Sequence, residues 1–289
     1  MLTDSSTENG DFPKIDIGFG LKVLKDYQFN FSQIDFEFKE EFVNIYPRSG
    51  YLICNLFLGE PKSCRFINYT GDVLRNNRLY FTGLFSEESL QFAMNYKGRG
   101  YAFKLHPVLA YHFLKLPMTE ITDRPVMVSD ALEIRGRFLR ELERSEPLDF
   151  AANQALSQFL WNALPDKKLL LSDPIYHAVN RIIVLKGLVS VGNLAIYCSM
   201  SKRTLRRQFL LKVGLPPQSY IRILKMENAL QFISANPKMS LEEVAFHTGY
   251  YDVAHLAHDF KNNLKIRPST VPEAMNPLLS TYIGISASF

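Results

Sequence analysis

Two hydrophobic periods divide the chain of 289 residues. Before Pro107, apolar positions come in short β-rich runs: Phe42–Tyr46, Tyr51–Leu58, Ser63–Tyr69, Arg78–Phe85 and Leu90–Phe103. Turn signals at Pro47–Gly50 and Asn76–Asn77 separate them. This pattern predicts an antiparallel sheet or small barrel. After Pro107 the period moves towards 3.6, which predicts helices over Val108–Leu116, Asp130–Arg144 and Asp149–Leu164. In the last of these, Asp149 caps the start, and Phe150, Ala151, Leu156, Phe159 and Leu160 lie mostly on one side. Residues 165–172, PDKKLLLS, read as a short junction.

Beyond the junction every apolar stripe is helical. Asp173–Pro174 places an N-cap before a proline at the first helical position, Ile175, Val179, Ile182 and Ile183 make one stripe, and Gly187 closes it as a left-handed cap. Ser190 caps a short helix with Leu194 and Ala195, a tight turn falls at Ser199–Met200, and Ser201 caps a helix with Leu205 and Phe209 inward. Gly214 and Pro216–Pro217 stop that helix. The same grammar returns: Ser240 caps a helix with Val244 and Ala245, Gly249 turns the chain, and Asp252 caps a helix with Leu256 and Phe260, closed by Pro268. Ala195 aligns with Ala245 and Ser199 with Gly249, with one extra residue in the second turn, an internal repeat of about 50 residues. Between the copies, Tyr220–Ile233 predicts a long amphipathic helix with Ile223, Met226, Leu230 and Ile233 facing the cores. Small residues at Ala195 and Ala245 suit a helix-turn-helix, whose two helices cross closely there.

Charge follows the same division. From Lys167 onward there are 15 Lys and Arg against 7 Asp and Glu, a balance of +8, whereas residues 1–166 carry −4. A basic part suits a polyanion, because each cation seated on a phosphate releases condensed counterions. The front part holds 17 of the 22 phenylalanines. With 47% hydrophobic and 21% charged residues, the composition excludes global disorder and fibrous repeats. An apolar run of about 18 residues, the length of a membrane span, is missing. The N-terminus MLTDSSTENGDFPK lacks the basic and apolar regions of a secretory signal, and Cys54, Cys64 and Cys198 show no CxxC spacing. Together these predict a cytoplasmic protein with reduced thiols and no membrane partner.

The segments LAIYCSMSKRTLRRQF (194–209), GLPPQSYIRILKMENALQFI (214–233) and SLEEVAFHTGYYDVAHLAHDFKNNLKIRPS (240–269) resemble the C-terminal DNA-binding domain of the AraC/XylS family of bacterial transcription regulators. Two departures are local: Ser199 replaces the usual turn glycine, and Lys265 stands where glycine usually follows the last helix. The resemblance implies an α+β chain: a β-rich, cupin-like N-terminal domain with C-terminal helices, then an all-α double helix-turn-helix domain. Its boundaries would be 1–165 for regulation and dimerisation and 173–275 for DNA binding, leaving 276–289 as a tail whose apolar Leu278, Leu279, Tyr282, Ile283 and Phe289 predict that it docks on the body. It further implies a sequence-specific DNA-binding transcription regulator. Duplex DNA, a small-molecule effector, a second copy of the chain and RNA polymerase are the implied partners, with no cofactor. Phe103–Asp130 resembles the sheet-to-helix passage of one subset of these regulators, and the helices at 130–164 are the expected dimer surface.

In such a domain the second helix of each pair meets the major groove, where arginine forks onto guanine O6 and N7. With Ser201 as cap, Lys202, Arg203, Arg206 and Arg207 lie opposite Leu205 and Phe209. The three arginines are the expected base readers and Lys202 the expected phosphate contact. The second recognition helix offers Val253, Ala254, Ala257 and His258, little beyond apolar contact with a thymine methyl and one imidazole. Thr248, Tyr250 and Tyr251 at its turn, with Lys261, are expected phosphate anchors.

Other chemistries have weaker support. His255 and His258 are three apart but no further ligand at typical spacing completes a zinc set, so no metal is expected. His106 and His112 border the β-to-α transition and read as structural histidines; an enzyme on the barrel would instead lose turnover with His106. GxSxG, HExxH, P-loop and GxGxxG motifs are missing, and Phe81-Thr82-Gly83 and Gly98-Arg99-Gly100 read as turn-like pieces. These features predict no enzyme. The competing function is a ligand- or partner-binding protein whose helix pairs contact protein without DNA.

Overall fold

The structure is a computed structural model that describes residues 30–37, 42–66, 79–86, 90–127 and 172–274. The helices expected over 130–144 and 149–164, the turn at Asn76–Asn77, all but the last junction residue and the tail at 276–289 lie outside the described residues.

Six described strands form one antiparallel sheet: β1 (Asn30–Glu37), β2 (Phe42–Tyr46), β3 (Leu52–Phe66), β4 (Leu79–Thr82), β5 (Leu90–Leu105) and β6 (Pro125–Met127). The order is β1-β5-β3-β4-β6, and β2 also pairs with β5. The 16-residue β5 is the spine: β2 pairs with its first residues, Leu90–Met94, β1 with Lys97–Lys104, and β3 with nearly its whole length. Several expectations change. β3 runs unbroken where two strands were expected, because the register shift between Pro61 and Ser63 absorbs the proline as a bulge. Gly98-Arg99-Gly100 is not a turn but the middle of β5, paired with β1 and β3. Phe81 and Thr82 likewise are not a turn but the end of β4, paired with β3; β1 and β6 had no separate signal in the sequence.

After the sheet come α1 (Pro107–Leu114) and, past a short 3-10 turn at Met118–Glu120, strand β6; the helices α2 (Pro174–Val184), α3 (Val191–Tyr197), α4 (Lys202–Val213), α5 (Pro217–Ala235), α6 (Leu241–His247), α7 (Val253–Leu264) and α8 (Val271–Ala274) follow from residue 174. The predicted caps form. Asp173, Ser190, Ser201, Ser240 and Asp252 each accept a backbone N–H of their helix's first turn, and Ser240 with Glu243 completes a capping box. At the end of α2 the left-handed residue next to the helix is Lys186, φ 51°, followed by Gly187 at φ 76°. Gly187 is required for a further reason: a Cβ there would lie 2.6 Å from Ile221 O and Lys225 N of α5.

Packing joins the sheet to the first helix pair. Leu52, Phe81, Leu105, Val108 and Leu109 share one buried cluster with Ile175, Leu194, Leu205, Phe209, Tyr220 and Leu224. A second cluster holds Met226, Leu230, Ile233, Val244, Leu256 and Phe260. Helix α5 therefore gives its first half to one core and its second half to the other. It is buried nearly all round, including Glu227 and Asn228, and is not the one-faced helix expected, because the loop between β2 and β3 covers its polar side. Pro47, Arg48, Ser49 and Gly50 of that loop are buried. Gly50 N and Ser49 Oγ donate to the Glu227 carboxylate at 3.4 and 3.5 Å, Lys104 Nζ pairs with it at 3.2 Å, and Tyr220 Oη donates to Gly50 O at 2.7 Å.

Both histidines at the sheet-to-helix passage are built into this body. His106 is wholly buried 4.9 Å from the Tyr176 ring with both ring nitrogens unpaired among the described residues, and burial holds it neutral by pushing its pKa down to about 3. His112 Nε2 lies 3.0 Å from Asp173 Oδ2, which also accepts from Lys212 Nζ at 2.7 Å. Burial raises the Asp173 carboxyl, but hydrogen bonds from Lys212, the Ile175 N–H and His112 outweigh it, and the net pKa is lowered. Because the folded value lies below the unfolded one, this carboxylate stabilises the fold at neutral pH and loses that contribution as pH falls through the folded value. Asp173→Ala is expected to lower stability by about 2–4 kcal/mol at pH 7, as it removes a cap and leaves Lys212 without its buried partner. Urea unfolding over a pH series should show the gap to wild type closing in acid.

Candidate DNA interface

Each helix pair turns through the same hydrogen-bonded motif. In the first, Met200 N donates to Ala195 O at 2.9 Å and Ser199 N to Ile196 O at 3.0 Å; in the second, Tyr250 N donates to Ala245 O at 2.8 Å and Gly249 N to Phe246 O at 3.3 Å. These are Schellman closures, which need a left-handed residue at the turn. Ser199 at φ 52° and Gly249 at φ 71° occupy that place. Ala195 and Ala245 are buried where the helices meet, so both repeats are paired short helices. Lys265, the other departure, is also left-handed, at φ 59°.

On α4, Leu205 and Phe209 are fully buried while Lys202, Arg203, Arg206 and Arg207 are all exposed. Among the described residues none of the four has an ion pair. The Ser201 side chain is occupied at the cap, accepting from Thr204 N at 3.1 Å and lying 3.0 Å from Thr204 Oγ1. The helix thus presents a cationic outer face, anchored from within by apolar side chains and at its far end by Lys212 on Asp173.

On α7 the outer face is nearly uncharged. Ala254, His258 and Lys261 are exposed, Val253 and Ala257 half-buried, and Tyr251 in the preceding turn is 92% exposed. His258 Nε2 lies 2.8 Å from Asn262 Nδ2. Two expected anchors are corrected: Thr248 is buried with its hydroxyl donating to Val244 O at 2.6 Å, and Tyr250 is buried with its hydroxyl 3.2 Å from Asp259 Oδ2. The polar turn sequence suggested solvent, but both hydroxyls find partners inside. His255 gives its backbone N–H to Asp252 and rests its ring 5.1 Å from Tyr250; among the described residues no group of three or more His, Cys, Asp or Glu is placed to hold a metal ion.

The inward face of α7 is held by Asp259 and Arg222, for which the sequence carries no local signal. Asp259, fully buried, accepts from Arg222 of α5 through Nε at 2.9 Å and through Nη2. That hydrogen bond raises the Arg222 pKa. Burial first, then the Asp259 charge, pushes the Tyr250 phenol up as well. Lys225 Nζ stands over the Tyr250 ring at 4.2 Å. Ile196 and Phe246 are also new: equivalent in the repeat, they are 79% and 81% exposed on the first helix of each pair. The repeat alignment contained that signal.

Residues 194–274 match a family model described as a helix-turn-helix domain. The paired helices and this match define the class: a DNA-binding transcription regulator. Its helix-turn-helix domain is of the AraC type. No curated protein matches the chain. Among solved structures, ToxT from Vibrio cholerae O395 is similar at 11% identity, covering 92% of this chain and 100% of that one with a TM-score of 0.47. The DNA-binding domain of AdpA in complex with a target DNA is 26% identical over 36% of this chain and 93% of its own, with a TM-score of 0.33. A probable AraC family regulator from Rhodopseudomonas palustris is 17% identical over 35% of this chain and 99% of its own, with a TM-score of 0.30. Among the described residues no helix is long and apolar enough to cross a membrane.

The two turns predict opposite responses to substitution. Ser199→Gly is expected to stabilise by about 0.5–1 kcal/mol, since glycine adopts the left-handed conformation without a Cβ penalty. Gly249→Ala should destabilise, because its Cβ would lie 2.3 Å from Leu188 Cδ2 on a backbone at φ 71°. Thermal unfolding of the two variants checks both signs.

Proposed function

We propose that α4 is the principal reader of duplex DNA and that α7 follows it into the next major groove. The observation that carries this is the outer face of α4, where Lys202, Arg203, Arg206 and Arg207 stand exposed behind a rigid, buried Leu205–Phe209 stripe. Arg203, Arg206 and Arg207 are the base readers, Lys202 meets a phosphate, and the Ser201 cap sets where the helix begins. On the second pair Val253, Ala254, Ala257 and His258 face base edges, with Tyr251 and Lys261 on the backbone. Helix α5 has 19 residues, about 28 Å at 1.5 Å per residue, a length suited to recognition helices near 34 Å apart on one face of the duplex.

In this reading residues 1–165 form the regulatory domain, 173–275 the DNA-binding domain and 276–289 the tail. The antiparallel sheet is the basis of a cupin-like lobe that takes a small effector, the segment 130–164 pairs two copies, and RNA polymerase is a further partner. The competing reading, protein contact without DNA, draws on the exposed Ile196 and Phe246. Salt separates the two: the full chain on random genomic duplexes should show a steep linear fall of log affinity with log salt, and a flat line would favour protein contact.

Arg206→Ala is expected to lose about 1–3 kcal/mol on the preferred site and to relax discrimination at one base pair. Lys202→Ala should weaken all sequences alike and reduce the salt slope by about one. Competition binding against single-base variants of the site measures both, and an unchanged base preference in Arg206→Ala would remove α4 from its assigned role.

A further inference from the structure

Both recognition helices are tied to the sheet lobe at their C-terminal ends, away from the ends that meet DNA. For α4 the tie is its cap: the Thr122 hydroxyl, in the loop before β6, shares its proton between Met118 O at 3.0 Å and Gly214 O at 3.3 Å, and a Cβ on Gly214 would lie 2.3 Å from Thr122 Oγ1. For α7 the tie is a buried arginine. Arg48, in the loop between β2 and β3, donates through Nη1 to Asn263 Oδ1 at 2.7 Å and through Nε to Phe85 O at 2.9 Å. Asn263 Nδ2 in turn donates to Asp259 O at 2.7 Å, one helical turn back, and the Asp259 side chain is the group that Arg222 of α5 holds. A continuous polar chain thus runs from the sheet loop through α7 to the linker helix.

The geometry points to Arg48 as a positioning residue for DNA readout. Through it the sheet lobe fixes the separation of α4 and α7, and with it the spacing between the two groups of base pairs they meet. This rests on the two-helix reading above. Three features argue for it. Arg48 and Asn263 are both buried, so their geometry is not loosened by solvent. A planar guanidinium with two fixed acceptors resists rotation in a way a single contact does not. The tie also lies on the face of α7 opposite Ala254 and His258, and so adjusts the helix without covering its outer side.

The test uses the full chain and duplexes enriched from a randomised pool by the wild-type protein, remade with one to three base pairs added or removed between the two contacted groups. Wild type is expected to lose affinity about tenfold or more on respacing, whereas Arg48→Ala and Asn263→Ala should each shrink that penalty to about threefold or less. The double variant should go no further than either single one, because both remove the same tie. If Arg48→Ala does not fold, Asn263→Ala alone carries the comparison, made on protein shown to be folded by its unfolding transition. An unchanged respacing penalty in Asn263→Ala, or an equal loss at every spacing, overturns the assignment of Arg48. A wild-type chain that binds DNA but ignores spacing overturns both this assignment and the two-helix reading, and one that binds no duplex overturns the DNA reading itself.

Discussion

A seven-residue helix cannot hold itself together in water. Nucleation is unfavourable, and isolated helices shorter than about 12–15 residues are marginal even in favourable sequences. Helices α3 and α6 have 7 residues each and α4 and α7 have 12, so every element of the two helix-turn-helix units depends on outside packing. That packing is α5. Its first half buries Tyr220, Ile221, Ile223 and Leu224 in the core shared with the sheet, and its second half buries Met226, Ala229, Leu230 and Ile233 in the core of the second pair. The orientation of the outer faces of α4 and α7 is therefore set by how α5 is held.

Polar groups hold it. Glu227 lies in the middle of α5, buried, with Lys104, Ser49 and the Gly50 N–H on its carboxylate. Taking such a charge out of water is costly, and apolar contact of the same shape would often serve stability as well. What apolar contact does not supply is direction: a carboxylate satisfied by three donors from β5 and the β2–β3 loop fits one arrangement of sheet and helix. Asp173 does the same for α4 through Lys212, and Asp259 for α7 through Arg222. Three buried carboxylates thus fix three helices that apolar packing alone would leave free to slide.

Local rules carried the helical half of the chain in the sequence. Five caps, the left-handed turn at Ser199, the extra residue after Gly249 and the inward Leu205 and Phe209 all follow from short-range chemistry, and the exposed cations of α4 follow from them by geometry. Long-range pairing was less legible. The fusion of two expected strands into β3 depends on a bulge at Pro61 that only the partner strand β5 makes favourable. The all-round burial of α5 reflects a loop far away in sequence, and Thr248 and Tyr250 turned inward because Val244 O and Asp259 await them. Arg48 and Asn263 are 215 positions apart, and nothing local to either announces the other.

In the proposed reading, the contrast between the outer faces of α4 and α7 gives those buried ties their significance. Helix α4 carries four exposed cations and draws a polyanion towards itself from a distance, so its contacts tolerate some freedom of approach. Helix α7 offers alanines, a valine, one histidine and one lysine, whose contacts act only at van der Waals or hydrogen-bond range. In the proposed reading, a helix with little electrostatic reach contributes to recognition only when it is already in place as α4 docks; any freedom it kept would have to be given up on binding, at a cost in affinity. The inward face of α7 is accordingly where polar constraint concentrates, with Asp259 held by Arg222 and Tyr250, and Asn263 by Arg48. In that reading the weaker reader is the more firmly positioned one, and the division of labour would let one chain recognise two grooves with one strongly charged helix.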